Sequence, residues 1–542
     1  MTMSPQTEFS SITRDDVQKL IIRALHQLRV LDVEKTWKVR RAAKSHGDYT
    51  CNVALVCASQ LQIAPMKMAL QLLDKLPTDT FSVTAHQGFL NFRMNDATLQ
   101  SHLQVALSQG TNYGTSQTLS GKRALVEFVS ADPDGPLEFS SGRLAVFGDA
   151  LCRLLVSQGA NVTREWYLND DETSSKMRLL GESVASHYLS ALGQNHEPPE
   201  GVLSNGFVCE LGQKIAREDG NKHALLPDDE RSATFAHRAR DEAIAIQKAA
   251  LERLGVRFEV WTSESALKNE GRVENALKKL RERDLIYDCD GAQWLRTTQF
   301  GDDADRVLVR AGGRPTYLAS DIAYHLFKNE RGFDLLLNVW TGEHKPYVER
   351  TRAALMAAGC DAQKLEVLTV ENARLLRDGR PISRGANGDN FSLDEALNTL
   401  DADTLKFFLL RQNPDERVAI DESSLGDDES NAAYAVRLLP HRLAIMISQS
   451  QATGETKDIE YSNQEREVAR LVALWPDTVQ NAATERAPHR AAAFLLDLAN
   501  ATREVLKSSR PDAPSANVEV LQGALVVAQN ALGVLGLSGA RI

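Results

Sequence analysis

The chain of 542 residues is predicted to be a multidomain α/β protein whose main domain contains a parallel, doubly wound sheet. A strand-like run at 124–129 leads into a loop, a helix-like run at 142–156 and a second strand-like run at 162–168. Gly159 marks the end of the helix before the second strand. The length of the whole chain exceeds what a single hydrophobic core supports, which predicts several domains. Because such sheets bind ligands beyond the carboxyl ends of their strands, the loop after residue 129 is the predicted binding site.

The composition narrows the class of protein. Hydrophobic residues make up 43% and charged residues 25% of the chain, as in ordinary globular proteins. The absence of a long apolar run and of a signal-like N-terminus predicts a cytoplasmic protein with no membrane partner. A net charge of −11 argues against an indiscriminate nucleic-acid binder, so no DNA partner is expected. Six scattered cysteines without a CxxC pair predict neither disulfides nor a metal site.

The loop Val129–Arg143 reads VSADPDGPLEFSSGR. It resembles the HIGH signature loop of arginyl-tRNA synthetases, which reads approximately S-A-N-P-T-G-P-L-H-V-G-H-G-R. Here Asp132 replaces the asparagine, and Glu138-Phe-Ser-Ser141 replaces His-Val-Gly-His. The resemblance implies a class I synthetase nucleotide fold of the Rossmann type, with an N-terminal α+β additional domain and a C-terminal helical bundle.

The family's two histidines donate hydrogen bonds to the ATP phosphates, and such preorganised donors are each worth roughly 10²–10³ in rate. Ser140 and Ser141 stand at these catalytic positions as weaker donors. The Glu138 carboxylate adds negative charge where a triphosphate would lie. The bland alternative is that the acids are ordinary loop residues and that Ser141 caps the helix. The resemblance places five residues at ATP-site positions, namely Pro136, Glu138, Gly142, Arg143 and Gly342.

The segment Pro315–His325 reads PTYLASDIAYH and resembles the family's arginine-recognition helix, P-T-Y-F-T-R-D-I-A-Y-H. Tyr317 and Asp321 are retained and would share one helix face. A carboxylate accepts two parallel N–H bonds from a planar guanidinium, so the resemblance implies that these residues bind the arginine side chain. The alternative for Asp321 is an ordinary acid on a helix face.

The resemblance also implies a site for the rest of the arginine molecule. Asp132 would meet the α-amino group in place of the family's asparagine. His344 lies in WTGEHKPY, which stands where the family has W-G-A-D-H-H-G-Y, and Lys345 replaces the second histidine of that segment.

The second signature loop spans Gly379–Leu393 and reads GRPISRGANGDNFSL. The family's version is similar to KMSKR or to G-K-P-F-K-T-R-A-G-G, and this loop has no lysine. Arg384 is the first candidate to meet a pyrophosphate, and Arg380 is the second. A glycine-rich loop that carries arginine binds phosphate through its amides and the guanidinium.

Segments in the N-terminal and C-terminal parts of the chain stand where the family has its tRNA-binding regions. HGDYTCNVAL at 46–55 and GFLNFR at 88–93 resemble the N-terminal domain that touches the tRNA corner. Five basic residues in the preceding stretch would bind phosphates beside Trp37, namely Lys35, Lys38, Arg40, Arg41 and Lys44. A solvated strand edge is the alternative. ANATREV at 499–505 replaces an aromatic cluster that faces the anticodon stem-loop in the family, which predicts weak or altered anticodon reading.

These resemblances predict four parts: an N-terminal additional domain at 1–115, a catalytic-type domain at 116–390 with an insertion at about 175–310, a connecting helical segment at 391–427, and an anticodon-binding-type bundle at 428–542.

Two functional hypotheses follow. The first is a paralogue that binds arginine, an arginine derivative or arginyl-tRNA, with impaired or lost ATP-dependent adenylation. The second is a working arginine–tRNA ligase that forms arginyl-adenylate from ATP and charges tRNA, and for which Mg²⁺ would offset the Glu138 charge. The lost donors and the added acids favour the first hypothesis, and the full-length resemblance favours the second. No resident cofactor is predicted beyond ATP and Mg²⁺ under the second hypothesis.

Overall fold

The computed structural model describes residues 12–30, 36–171, 173–198, 200–383, 390–426, 431–452, 461–508 and 517–539, apart from the Lys44 side chain. The chain divides into two compact units. Unit 1 contains residues 1–116, 434–486 and 490–542, and unit 2 contains residues 117–433 and 487–489.

The N-terminal part of unit 1 combines a small sheet with helices. Its elements are α1 (Arg14–Gln27), β1 (Val39–Arg41), β2 (Tyr49–Cys51), α2 (Val53–Leu61), α3 (Pro65–Leu73), β3 (Phe81–His86), β4 (Phe89–Met94) and α4 (Asp96–Gln109). The strands form an antiparallel sheet in the order β1–β2–β4–β3. Helix α1 buries Val17, Ile21 and Ala24, because their spacing places them on one face.

Unit 2 is built around a five-stranded parallel sheet. Its first half contains β5 (Arg123–Phe128), α5 (Phe139–Ser157), β6 (Asn161–Leu168), α6 (Ser175–Ala191), α7 (Gly206–Asp219), α8 (Asp228–Arg253), β7 (Val260–Ser263), α9 (Glu264–Asn269), α10 (Arg272–Glu282), β8 (Ile286–Cys289), β9 (Ala292–Leu295) and β10 (Arg306–Val309). Its second half contains α11 (Tyr317–Glu330), β11 (Leu335–Thr341), α12 (Val348–Ala357), β12 (Leu365–Val370), β13 (Ala373–Arg377), β14 (Arg380–Pro381), α13 (Leu393–Thr399), α14 (Ala402–Leu410) and β15 (Val418–Asp421).

The strand order of the parallel sheet is β12–β11–β5–β6–β7. The apolar run in β5 is buried, as expected for a strand covered on both faces. Chain order reverses between β5 and β11, which lie side by side with Phe128 opposite Val339. This is the topological switch point at which doubly wound sheets bind ligands, so the predicted fold class is confirmed.

The predicted insertion contains two further layers. Helices α6, α7 and α8 pack around a core that includes Leu180, Tyr188 and Phe235. Strands β8, β9 and β10 form an antiparallel sheet. Beyond the insertion, β13 pairs in parallel with β15 and antiparallel with β14.

The C-terminal part of unit 1 is helical, with α15 (Ala432–Ala452), α16 (Asn463–Thr484), α17 (Pro488–Ser508) and α18 (Val518–Val534). Helix α16 begins with a capping box: the Ser462 hydroxyl accepts from the Glu465 amide at 3.2 Å, and the Glu465 carboxylate accepts from the Ser462 amide at 2.8 Å. Helix α4 packs against α16 and α18 within this unit. In the part of the chain that the structure describes, no helix combines the length and the apolar character that a membrane span requires.

Candidate functional site

The loop after β5 starts with a backbone turn of an unusual kind. Val129 and Ser130 have φ angles of +68° and +43°, in the left-handed region that β-branched residues rarely enter. Such residues cost on the order of 1–3 kcal/mol each and persist only where the surroundings hold them. The Ser130 hydroxyl donates to a Glu127 carboxylate oxygen at 2.9 Å and accepts from the Tyr167 amide at 3.1 Å. These bonds bind the turn to the ends of β5 and β6.

A buried polar network lies under this turn. The Lys328 ammonium, which is fully buried, donates to the Glu127 carboxylate at 2.7 Å and to the Asn338 side-chain oxygen at 2.9 Å. The Asn338 amide contacts His325 Nε2 at 2.9 Å, and His325 Nδ1 contacts the Asp321 carbonyl at 2.8 Å. Burial and the Lys328 charge lower the pKa of His325 to about 3, so its ring is neutral. The network joins β5, α11 and β11 below the switch point.

The two residues predicted to bind the guanidinium lie at the start of α11. Tyr317 is the first residue of the helix and is 56% exposed, and Asp321 follows one turn later. Burial, followed by the neighbouring Glu127 and Glu264 carboxylates, raises the pKa of Asp321 to about 7. The surroundings of Asp321 therefore disfavour its ionised form, and a bound cation would favour that form.

Two acids beyond the ends of β5 and β6 have basic partners. Asp132 accepts from the Lys176 ammonium at 2.5 Å, and Asp171 accepts from the Lys268 ammonium at 2.5 Å. Burial acts to raise the pKa of Asp171, but the bonds from Lys268 and Thr173 leave it lowered. The negative charge of these two carboxylates is thus partly neutralised by lysines.

The negative charge of Asp134, in the same loop, is less well neutralised by its surroundings. Burial, and then the Asp132 charge, raises the pKa of Asp134. The Gln247 side chain of α8 donates to the carbonyls of Asp132 and Gly135, both at 2.9 Å, which fixes the path of the loop.

Glu138 stands where the loop meets the end of the second signature loop. The Phe139 amide donates to the Phe391 carbonyl at 3.0 Å, and the Leu393 amide donates to the Leu137 carbonyl at 2.8 Å. The Glu138 carboxylate accepts from the Asn390 side-chain amide at 2.7 Å. The two signature loops are therefore joined by main-chain and side-chain bonds. Arg384 lies outside the described residues, and Arg380 is exposed in β14.

Ser140 and Ser141 lie in the first turn of α5, and both are partly exposed. The N-cap residue of that helix is Glu138, without a side-chain capping bond, so Ser141 is not the cap. Pro136 is exposed in the same loop. The Ser140 and Ser141 hydroxyls are the only side-chain hydrogen-bond donors among residues 136–142, all of which the structure describes.

Gly142 and Arg143 hold the loop to its surroundings. A Cβ at Gly142 would lie 2.8 Å from a Leu393 methyl, so glycine permits the close approach of α13. The buried Arg143 guanidinium donates to the carbonyls of four residues at 2.6–3.3 Å, namely Glu371, Leu409, Asn413 and Glu416. Burial lowers the pKa of Arg143 to about 10. Arg143 thus lies at the predicted ATP-site position with its guanidinium directed into the protein.

The segment after β11 is a short 3₁₀ helix, Gly342–Tyr347. A Cβ at Gly342 would lie 2.4 Å from the Glu371 carboxylate. The exposed His344 ring lies edge-to-face between Trp340 and Tyr347, at centroid distances of 6.2 and 5.8 Å. This aromatic cluster places the His344 imidazole beyond the carboxyl end of β11.

The predicted tRNA-binding stretch alternates between exposed and buried side chains. Lys38 and Arg40 are exposed, and Trp37 is buried, so its ring does not lie beside them on the surface. Arg41 contacts Asp497 at 3.3 Å and lies over the Phe494 ring at 5.3 Å. Lys35 and the Lys44 side chain lie outside the described residues.

Sequence patterns alone did not identify four contributors, namely Glu127, Lys176, Lys328 and Asn390. Of these, only Lys328 could have been found from the sequence, because it lies two helical turns after Asp321 and therefore on the same helix face. Among the described residues, no cluster of three or more His, Cys, Asp or Glu is arranged to hold a metal ion.

Comparison with known protein families gives three matches along the chain. Residues 15–94 match the arginyl-tRNA synthetase N-terminal domain, and residues 212–423 match the class I (R) tRNA synthetase catalytic domain. Residues 441–539 match the DALR anticodon-binding domain. The catalytic-domain match begins C-terminal to the loop at 129–143.

Individual relatives cover nearly the whole chain. The arginine–tRNA ligase of Geobacillus kaustophilus is 32% identical over 514 residues, which is 91% of this chain and 92% of that protein. The enzyme of the same name from Listeria monocytogenes is 33% identical over 517 residues, again 91% and 92%. The structure of Thermus thermophilus arginyl-tRNA synthetase superposes with a TM-score of 0.75 at 22% identity, covering 98% of this chain and all of that one, which shows the shared fold. The chain therefore belongs to the arginyl-tRNA synthetase family.

Proposed function

We propose that this chain binds arginine at the switch point of its parallel sheet and carries out ATP-dependent adenylation poorly or not at all. Its ligand would be arginine, an arginine derivative or the arginyl end of a charged tRNA. Asp321 and Tyr317 would bind the guanidinium, Asp132 would bind the α-amino group, and His344 would lie at the edge of the site.

The observation that supports arginine binding is the setting of Asp321. Burial, and then the nearby Glu127 and Glu264 carboxylates, raises its pKa to about 7, and the helix that carries it begins with an exposed tyrosine. A guanidinium would replace unfavourable carboxylate contacts with an ion pair and would be covered by the Tyr317 ring.

The chemistry of the loop supports impaired adenylation. A triphosphate at Pro136–Gly142 would meet the Ser140 and Ser141 hydroxyls and the Glu138 carboxylate, and Arg143 is committed to carbonyls. Losing two charged or preorganised donors at roughly 10²–10³ each predicts a rate lower by about 10⁴ or more. Arg384 at the second signature loop would be the remaining cationic contact.

A second candidate is a working arginine–tRNA ligase. The curated relatives support it, since they bear that name at 32–33% identity over 91% of the chain, and they favour this candidate over the first. Under it, ATP would be a substrate, Mg²⁺ would offset the Glu138 carboxylate, and Ser140, Ser141 and Arg384 would contact the phosphates.

The match to an anticodon-binding domain supports tRNA as a partner under both candidates. Exposed Lys38 and Arg40 would contact its phosphates, together with Lys35, Arg41 and Lys44. The boundaries at 1–115, 116–390, 391–427 and 428–542 and a cytoplasmic location stay predictions.

Arginine-dependent ATP–pyrophosphate exchange by the full chain, with and without tRNA, separates the candidates. We expect exchange slower by about 10⁴ or more than that of a family member with both histidines. We also expect thermal stabilisation by arginine and none by ATP. Exchange at the rate of such a member would establish the ligase and overturn the proposal. Absence of stabilisation by arginine would overturn the arginine-binding assignment itself.

A further inference from the structure

Lys176 faces the predicted arginine site from the first turn of α6. Its ammonium lies 2.5 Å from the Asp132 carboxylate, and the pair joins α6 to the loop after β5. The Lys176 side chain is 65% exposed and that of Asp132 is 31% exposed, so solvent and ligands reach both.

Other polar groups of the site act on the same ammonium. The bond to Asp132 raises the pKa of Lys176, and the Asp134 carboxylate and the Tyr317 phenol act in the same direction. A lysine ammonium has three N–H donors, and the contact with Asp132 uses one of them.

A cation and an anion side by side form a surface complementary to a zwitterion. Asp132 accepts from Lys176 through Oδ2, and its other oxygen is oriented differently by carboxylate geometry. An α-ammonium group on that second oxygen would place the adjoining α-carboxylate next to the Lys176 ammonium. An α-carboxylate that had been converted into an ester, an amide or an adenylate would lack the charge that this contact requires.

We propose that Lys176 is a specificity-determining residue that binds the free α-carboxylate of a guanidino amino acid, while Asp132 binds its α-ammonium. This inference rests on the proposed arginine site. It defines the preferred ligand as the free amino acid, in preference to its decarboxylated or carboxyl-blocked forms.

The test is isothermal titration calorimetry on the full chain with arginine, agmatine, which lacks the carboxylate, and argininamide, in which it is neutral. We expect the wild-type chain to prefer arginine over both analogues. Lys176→Gln should weaken arginine binding about tenfold and leave agmatine binding within twofold, because only arginine offers the carboxylate. Lys176→Arg keeps the cation and should retain most of the preference.

Lys214→Gln is the matched control, since Lys214 forms a 2.9 Å ion pair with Glu242 between α7 and α8 and should change no ligand affinity. Equal weakening of arginine and agmatine by Lys176→Gln, or no effect on either, would overturn the role of Lys176 alone. If the wild-type chain binds none of the three compounds, the proposed function fails and the inference fails with it. Unchanged thermal unfolding of each variant confirms that the comparison concerns folded protein.

Discussion

The Asn390 side-chain amide donates a 2.7 Å hydrogen bond to the Glu138 carboxylate. The resemblance to the family's signature loop predicts that Glu138 stands at the position of the first histidine, and Asn390 lies near the end of the second signature loop. On that prediction, Glu138 accepts a bond from protein where a histidine would donate to a phosphate. The main-chain bonds beside it, at Phe139 and Leu393, keep the two loops paired independently of this contact.

Restoring the family's donors tests whether the loop limits adenylation. The triple variant Glu138→His, Ser140→Gly, Ser141→His removes one carboxylate and supplies two imidazoles. We expect arginine-dependent ATP–pyrophosphate exchange to rise at least 100-fold over the wild-type chain. Glu138→Gln alone is the control, since it removes the charge without adding an imidazole. No gain from the triple variant would show that the loop is not the limiting feature.

Asp321→Asn should abolish arginine binding. An amide does not provide the ion pair with the guanidinium, and it directs an N–H group at a cation, so we expect at least 100-fold weaker binding by calorimetry. Glu330→Gln, at the far end of the same helix, should bind normally because Glu330 contacts Arg272 and Lys279. Retained affinity in the Asp321 variant would disprove the guanidinium assignment.

Arginine affinity should depend on pH through Asp321. The pKa of this carboxyl is about 7 in the free chain, so it must lose a proton to pair with a guanidinium below that value. Affinity should therefore fall by up to tenfold for each pH unit below about 7 and level off above it, with proton release at the lower pH. Titrations in buffers of different ionisation enthalpy measure that proton. A pH-independent affinity between pH 5.5 and 8.5 would contradict this pKa.

Lys328→Met alone should destabilise the fold more than the double variant Lys328→Met, Glu127→Gln. It leaves the Glu127 carboxylate buried without its cation, which costs about 3–5 kcal/mol in the free energy of unfolding. Adding Glu127→Gln removes the charge and should recover more than half of that loss. Urea denaturation of the two single variants and the double variant measures the coupling. Additive effects would show that the two groups act independently.

Much of the fold follows from local sequence patterns. The buried run of β5, the stop at Gly159 and the spacing of Tyr317 and Asp321 are encoded within a few residues of each other. The ion pairs of Lys176 with Asp132 and of Lys328 with Glu127 are not, because they join residues 44 and 201 positions apart. No periodicity relates such distant positions.

The burial of a side chain also depends on residues that are distant in the sequence, which local sequence patterns do not reveal. The sequence predicts that Trp37 lies beside the basic residues, but its side chain is buried, as that of Val39 is, while Lys38 and Arg40 between and after them are exposed. The motif predicts that Arg143 lies at the ATP site, and only the packed structure shows the four carbonyls around its guanidinium.

Every acceptor around Arg143 is a main-chain carbonyl, a group that any amino acid provides. Substitutions at residues 371, 409, 413 and 416 therefore leave the anchor of the loop chemically unchanged. Side-chain changes at Asp132, Glu138, Ser140 and Ser141 therefore leave this anchor in place. The bonds that hold the shape of the loop are thus separate from the side chains proposed to select its ligand.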